Sequence, residues 1–231
     1  MSSQHPYRDG PVATDLGYEL PAGVRVEARA VFGQVMFMVA VALAFAAGGA
    51  YIGRDLSFGW AIGAWVAALA LIIGMSFARR AQNGGLGMAL LYGVGLFLGM
   101  AVGPTLATYA SADGGAVLIS QAAGLTALFI GGLGAVGYAT RRDLSGVARI
   151  AFFALIGLIL FGIVAMFVAI PGANLLYSLI GLVIFGAFTM YDFQRLRTAT
   201  EDDAVMIALG IFLDVFNVFL FILNLLGMSR D

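Results

Sequence analysis

Cysteine and lysine are both absent from this 231-residue chain, histidine occurs once, and only 11% of the residues are charged. Each absence closes a class of chemistry. Without cysteine there are no disulfides, no thiolate metal sites and no cysteine nucleophile. Without lysine no Schiff base can form, so a retinal-type seven-helix protein is excluded. The sole histidine, His5, precedes the apolar body of the chain, which removes a Ser-His hydrolase or a histidine zinc site from that body. A net charge of −1 gives no basis for binding nucleic acid.

What the chain does have is apolar length. It is 61% hydrophobic and its mean hydropathy is +0.98, far outside the range of soluble domains. Crossing a hydrocarbon core takes about 20 apolar residues per helix. Seven runs qualify, at about 31–53, 58–78, 86–110, 116–139, 147–170, 173–193 and 204–227. They are too long, and alternate too little, for the strands of a β-barrel. The predicted fold is an all-α integral membrane protein: a polar cytoplasmic tail over residues 1–30, then a seven-transmembrane-helix domain over 31–231. The tail is mixed in charge and holds three of the five prolines, unlike a cleavable signal peptide.

Orientation follows from arginine. Ten of the twelve fall in or beside the tail and the loops after helices 2, 4 and 6, whereas only Arg54 and Arg230 fall opposite. The positive-inside rule then puts the N-terminus in the cytoplasm and, after an odd number of helices, the C-terminus outside. Short connections and the absence of organelle signals point to a bacterial inner membrane.

Small residues in register suggest how the helices pack. Gly95, Gly99 and Gly103 form two GxxxG steps on helix 3, and Gly59 with Gly63 forms one on helix 2; such steps let backbones approach closely inside the bundle. Pro104 removes a backbone donor within helix 3 and should shape it there.

The only carboxylates deep within the runs are Asp192 and Asp214. An intramembrane carboxylate is costly unless it faces the bundle interior or a water-filled path, so the pair is the first place to look for function. Their midpoint is residue 203, inside the polar turn Gln194–Asp203, so in an antiparallel hairpin they lie at one level. That level is about 15 Å from the turn. Thr200, followed by Glu201, Asp202 and Asp203, reads as a helix N-terminus with a hydroxyl cap and acidic residues at the positive end of the dipole. Asp214, Asn217 and Asn224 share a stripe, a polar seam on an otherwise apolar helix 7, which belongs in the middle of the bundle. Asparagines alone would serve as hydrogen-bonding glue. Two carboxylates at one level cannot both stay ionised in low dielectric, so they would titrate as a coupled unit and sense protons. Arg79 or Arg80, at the cytoplasmic end of helix 2, could reach the pair as a cationic partner.

At these residues the chain resembles the Bax inhibitor motif family of membrane proteins. The resemblance is carried by Met190-Tyr191-Asp192-Phe193-Gln194, the turn Thr200-Glu201-Asp202, the run from Phe212 through Asp214 and Asn217 to Leu220, and Leu226-Gly227. Phe77-Ala78-Arg79-Arg80 and Gly103-Pro104 with Tyr109 fit as well. It implies a bundle with helix 7 central, surrounded by the other six, and a pH-sensitive calcium leak. It also implies that Asp192 and Asp214 are the proton-sensing pair, with Arg79 as the associated basic residue. Some relatives carry an acidic residue within helix 2, which this chain lacks.

The leading expectation is a pH-gated calcium leak without a cofactor. Calcium and protons are its ligands, membrane lipids surround it, and Asp192 with Asp214 forms a weak, transient site of hard oxygen donors. The alternative is a non-conducting regulator that binds a membrane-bound protease or another membrane partner, for which the tail is the candidate contact. An intramembrane aspartyl protease is disfavoured. Tyr191-Asp192 matches half of that pattern, but Asp214 sits in Phe-Leu-Asp and not Gly-x-Gly-Asp, so no enzyme is expected.

Overall fold

The computed structural model describes residues 22–229 except 82, 169 and 170, with the backbone alone over 22–29. The expectations placed on residues 1–21, on the side chains of Arg25 and Arg29, and on Arg230 lie outside the described residues. Seven helices follow one another: α1 Ala22–Gly53, α2 Phe58–Arg80, α3 Gly84–Ser111, α4 Gly115–Ala139, α5 Ser145–Phe167, α6 Ala173–Leu196 and α7 Glu201–Met228. All seven are long and apolar enough to cross a membrane.

The seven-helix expectation holds, with two differences at the ends. Residues 22–30, assigned above to the polar tail, are the first nine residues of α1. The apolar part of α1 begins only at Ala30; the upstream turns are built of Ala, Val, Arg and Glu, which include good helix formers and let the helix continue past the hydrophobic span. At the other difference, α5 stops at Phe167 instead of 170. The chain turns near Pro171, and Gly172 at φ 74° starts α6 from a left-handed conformation, which favours glycine because it has no Cβ.

Close backbone approach organises the packing. A Cβ placed on Gly95 would sit 2.5 Å from the Ala42 carbonyl oxygen, and those on Gly99 and Gly103 would collide with α1 at Ala46 and Gly53. On α1, Gly49 and Gly53 meet the backbone of Leu96 and Met100 in the same way. Pro104 leaves the Met100 carbonyl without its helical donor, and that carbonyl is what Gly53 packs against. The helix 3 steps are thus an intramolecular seam with α1. The helix 2 step is not: beyond Gly59 and Gly63 there is open space.

α7 is the least exposed span, with 50% of its apolar window buried against 11% for α5. Its main neighbours are α1, α3, α4 and α6, while α5 joins the bundle chiefly through α6 and α2 chiefly through α3. Gly181 of α6 lies under the Phe221 ring of α7, and Gly137 of α4 lies on the Met190 backbone of α6. The hairpin α6–α7 is thereby held at a fixed depth.

Gly99→Val is expected to destabilise the protein by about 1–3 kcal/mol through overpacking of the α1–α3 seam. Gly63→Val should stay within about 0.5 kcal/mol of the parent. Thermal unfolding of the two variants in one detergent measures the difference.

Candidate functional site

The polar face of α6 towards α7 carries Ser178, Thr189 and Asp192, all buried. Asp214 is the buried polar residue of α7. Asp192 is 7% exposed and Asp214 3%, and the two are electrostatic neighbours, as their equal distance from the turn requires. Gly210 makes this possible. The Asp192 carboxylate occupies the space where a Cβ at position 210 would stand, so any larger residue would push it off α7.

The hydrogen bonds around the pair are incomplete. One oxygen of Asp192 faces the Arg195 guanidinium at 3.5 Å, and that guanidinium lies 5.6 Å from the centre of the Tyr191 ring. Asp214 reaches the Thr189 hydroxyl, which also lies 2.8 Å from the Phe185 carbonyl oxygen as a donor; one hydroxyl proton can serve only one of them. Asp214 Oδ2 and Ser178 Oγ are buried without a hydrogen-bond partner among the described residues. Most buried polar atoms have a partner, and those that lack one mark sites of strain, function, water or ions.

The cation at the pair differs from the one expected. Arg79 makes an ion pair, but with Asp203 Oδ1 at 3.3 Å, and Arg80 leans over the Phe77 ring, 6.0 Å from its centre. Arg195 takes the place next to Asp192 because it lies one turn along the same helix, on the same face. The spacing i, i+3 was the signal for it, whereas Arg79 meets the start of α7 well before it could reach the level of Asp192. Asp203 is correspondingly better held than a helix cap. The Thr200 hydroxyl accepts no amide of the first turn of α7; it donates to Asp203 Oδ2 at 3.0 Å, a charged acceptor being stronger than a peptide.

The expected seam of asparagines is local. Asn217 donates to the Leu213 carbonyl of its own helix at 2.8 Å, and Asn224 is half-buried. Gln194 acts as a clasp. It accepts from the Leu144 amide at 3.0 Å and donates to the carbonyls of Thr140 and Arg142, tying the α4–α5 turn to the end of α6. In that turn the Ser145 hydroxyl and amide hold Asp143 below the usual carboxylate range.

A polar recess of about 220 Å³ lies where α2 ends and α7 begins, lined by Arg79, Asn83, Glu201 and Asp202 and, deeper, by Met75 and Met206. Among the described residues no group of three or more His, Asp or Glu converges as a metal cage.

These features define a seven-helix integral membrane protein with a carboxylate pair buried between its last two helices. The chain belongs to the family described as inhibitor of apoptosis-promoting Bax1, whose model matches residues 28–231. It is similar to the inner membrane protein YbhL of Escherichia coli K12, 27% identical over 180 residues that cover 73% of this chain and 75% of that one. A Deinococcus radiodurans protein is 30% identical over 175 residues, 72% of this chain and 73% of its own. A membrane protein of Vibrio cholerae is 27% identical over 152 residues, 66% and 68% of the two chains. The inner membrane of a bacterium is the corresponding location.

If Arg195 sets the charge balance of the pair, Arg195→Gln moves the midpoint at which the buried carboxyl infrared band appears, and Arg80→Gln leaves it in place. A neighbouring charge within about 4–6 Å is enough to move a carboxyl midpoint by about 1 unit or more. Infrared titration of the reconstituted protein, with Asp192→Asn and Asp214→Asn to assign the bands, is the check.

Proposed function

We propose that this protein is a pH-sensitive cation leak, with calcium as the transported ion and the pair Asp192 and Asp214 as the gate. The observation that carries the reading is a buried carboxylate oxygen, Asp214 Oδ2, that has no partner among the described residues and stands beside a second buried carboxylate. Two carboxylates at one depth give hard oxygen ligands too few for tight binding, which suits an ion that must enter and leave. Protons and calcium compete for the same oxygens, so calcium occupancy of the pair rises with pH and its binding releases protons.

In this reading the conformation described is the shut one. On the cytoplasmic side the polar recess ends at Met75 and Met206, and the Arg79–Asp203 ion pair ties α2 to α7. Towards the other side, the Phe185 and Phe221 rings, 5.9 Å apart, lie between the pair and Ser178. Opening would separate these layers while Gly210 keeps Asp192 in place. The arginine distribution supports a cytoplasmic N-terminus and an outer C-terminus, which puts the pair in the cytoplasmic half. No enzymatic step is part of the reading.

The second reading, a non-conducting regulator of a membrane-bound protease or other membrane partner, draws support from that same closure. Calcium flux into proteoliposomes between pH 5.5 and 8 separates the two. A leak whose rate depends on pH in the parent, and loses that dependence in the Asp192→Asn, Asp214→Asn double variant, is the expected outcome. Flux no greater than that of empty vesicles at every pH would leave the regulator.

A further inference from the structure

The bundle is open on one side. α1 and α4 both pack against α7 and both approach α3, but they are not packed against one another along their length. The contact between them is an edge-to-face pair, Phe32 with Tyr138, ring centres 5.8 Å apart, at the end where α1 enters and α4 leaves the membrane. Behind that pair is a cavity of about 1150 Å³, with α7 as its floor at Val215, Phe216 and Phe219 and α3 behind it at Val102 and Leu106. Along α4 its edge is Ala123, Ala127, Gly131 and Ala135, one residue per turn, all exposed. A Cβ at Gly131 would meet nothing within 4 Å.

The lining tells what can occupy it. Only Thr126 and Tyr138 bring polar side chains to it, and the Thr126 hydroxyl is already spent on the Ala122 carbonyl at 2.7 Å. An ion or a hydrated solute would find no ligand there, so the cavity is separate from any path through the aspartates. The medium outside it is hydrocarbon, and an unfilled void would forfeit the contacts of every side chain that lines it. Hydrocarbon chains are slender enough, and the bilayer supplies them.

The mouth selects a headgroup. Arg141 and Arg142 follow Tyr138 directly after α4 and are exposed, with no ion pair among the described residues. Arg197 is drawn to the same corner by its bond to the Thr140 carbonyl at 3.0 Å. The neighbouring carboxylate, Asp143, is turned to Ser145. The chain thus leaves α4 at the Tyr138 end of the slot with Arg141 and Arg142, three and four residues beyond a lining residue. We propose that the α1–α4 cleft is a binding site for an anionic phospholipid, with acyl chain in the cavity and phosphate against Arg141 and Arg142. The occupant would lie on Phe193 and Val215, the residues next in sequence to Asp192 and Asp214. The proposal stands whether or not the protein conducts ions.

The test uses the full-length protein in liposomes with phosphatidylglycerol that carries a photoreactive diazirine in its acyl chain, followed by peptide mapping. Adducts are expected to concentrate on the α4 edge from Ala123 to Ala135 and on Phe216, above the level on the lipid-facing residues Trp65 and Phe153. Gly131→Phe, which fills the slot, should abolish them. The double variant Arg141→Gln, Arg142→Gln leaves the fold's interior untouched. It should weaken binding of phosphatidylglycerol by roughly 30-fold, about fivefold for each arginine facing an anionic headgroup, and bring it to the level of phosphatidylcholine. Adducts spread evenly over all outward faces would overturn the proposal. So would binding unaffected by both variants. A diazirine amino acid at position 131 that, in native membranes, captured a polypeptide and no lipid would give the cleft to a protein partner instead.

Discussion

Seating a carboxylate against a helix backbone, in a place where hydrocarbon surrounds the protein, is the constraint on which the other features of the bundle turn. Asp192 can lie beside Asp214 only because residue 210 has no side chain, and the pair stays at one depth only because α6 and α7 form a tight hairpin. The hairpin is in turn fixed from outside. Gly137 brings α4 onto Met190 and Gln194 clasps the α4–α5 turn, while within the hairpin itself Gly181 receives Phe221. The residues from Met190 to Gln194 each have a mechanical part in presenting Asp192, and this accounts for their density around one acidic residue.

Such a site is costly, and its cost is not fully offset within the protein. Arg195 faces Asp192 at hydrogen-bond limit, Thr189 is shared between two acceptors, and one oxygen of Asp214 has no partner among the described residues. A buried polar network left incomplete weakens a fold that only needs to be stable. It is a sensible arrangement where a proton or a cation is to arrive and leave. The surrounding layers are apolar, Met75 and Met206 on one side and Phe185 and Phe221 on the other.

The packing around the hairpin is uneven for a reason that membranes impose. With no hydrophobic gain from joining helices in lipid, contact follows where small residues let backbones meet. α1 and α3 have such a seam on both surfaces and close completely. α4 has small residues on the face towards α1, and α1 adds Ala47 and Ala50 to the same slot, but the backbone of α1 is in close contact with α3 and the space between α1 and α4 stays open. The same principle leaves α5 at the edge, since it meets the bundle chiefly through α6.

By itself, the sequence determined the class of fold, because length and hydropathy are local properties: seven apolar runs, their order, and a buried carboxylate pair at equal distances from one turn. It also carried the family likeness in the residues around Asp192 and Asp214. Partners across helices were not legible: the i, i+3 spacing offered Arg195 to Asp192 within α6, but only the tertiary placement of α2 gave Arg79 to Asp203. Gly59-x-x-x-Gly63 and Gly95-x-x-x-Gly99 are the same motif, yet one faces open space and the other a carbonyl, since the motif permits an approach and the neighbouring helix decides whether it happens. The cleft between α1 and α4 has no linear signature at all. It exists because α1 and α4 both pack against α7 without packing against one another along their length, which is a property of the assembled bundle alone.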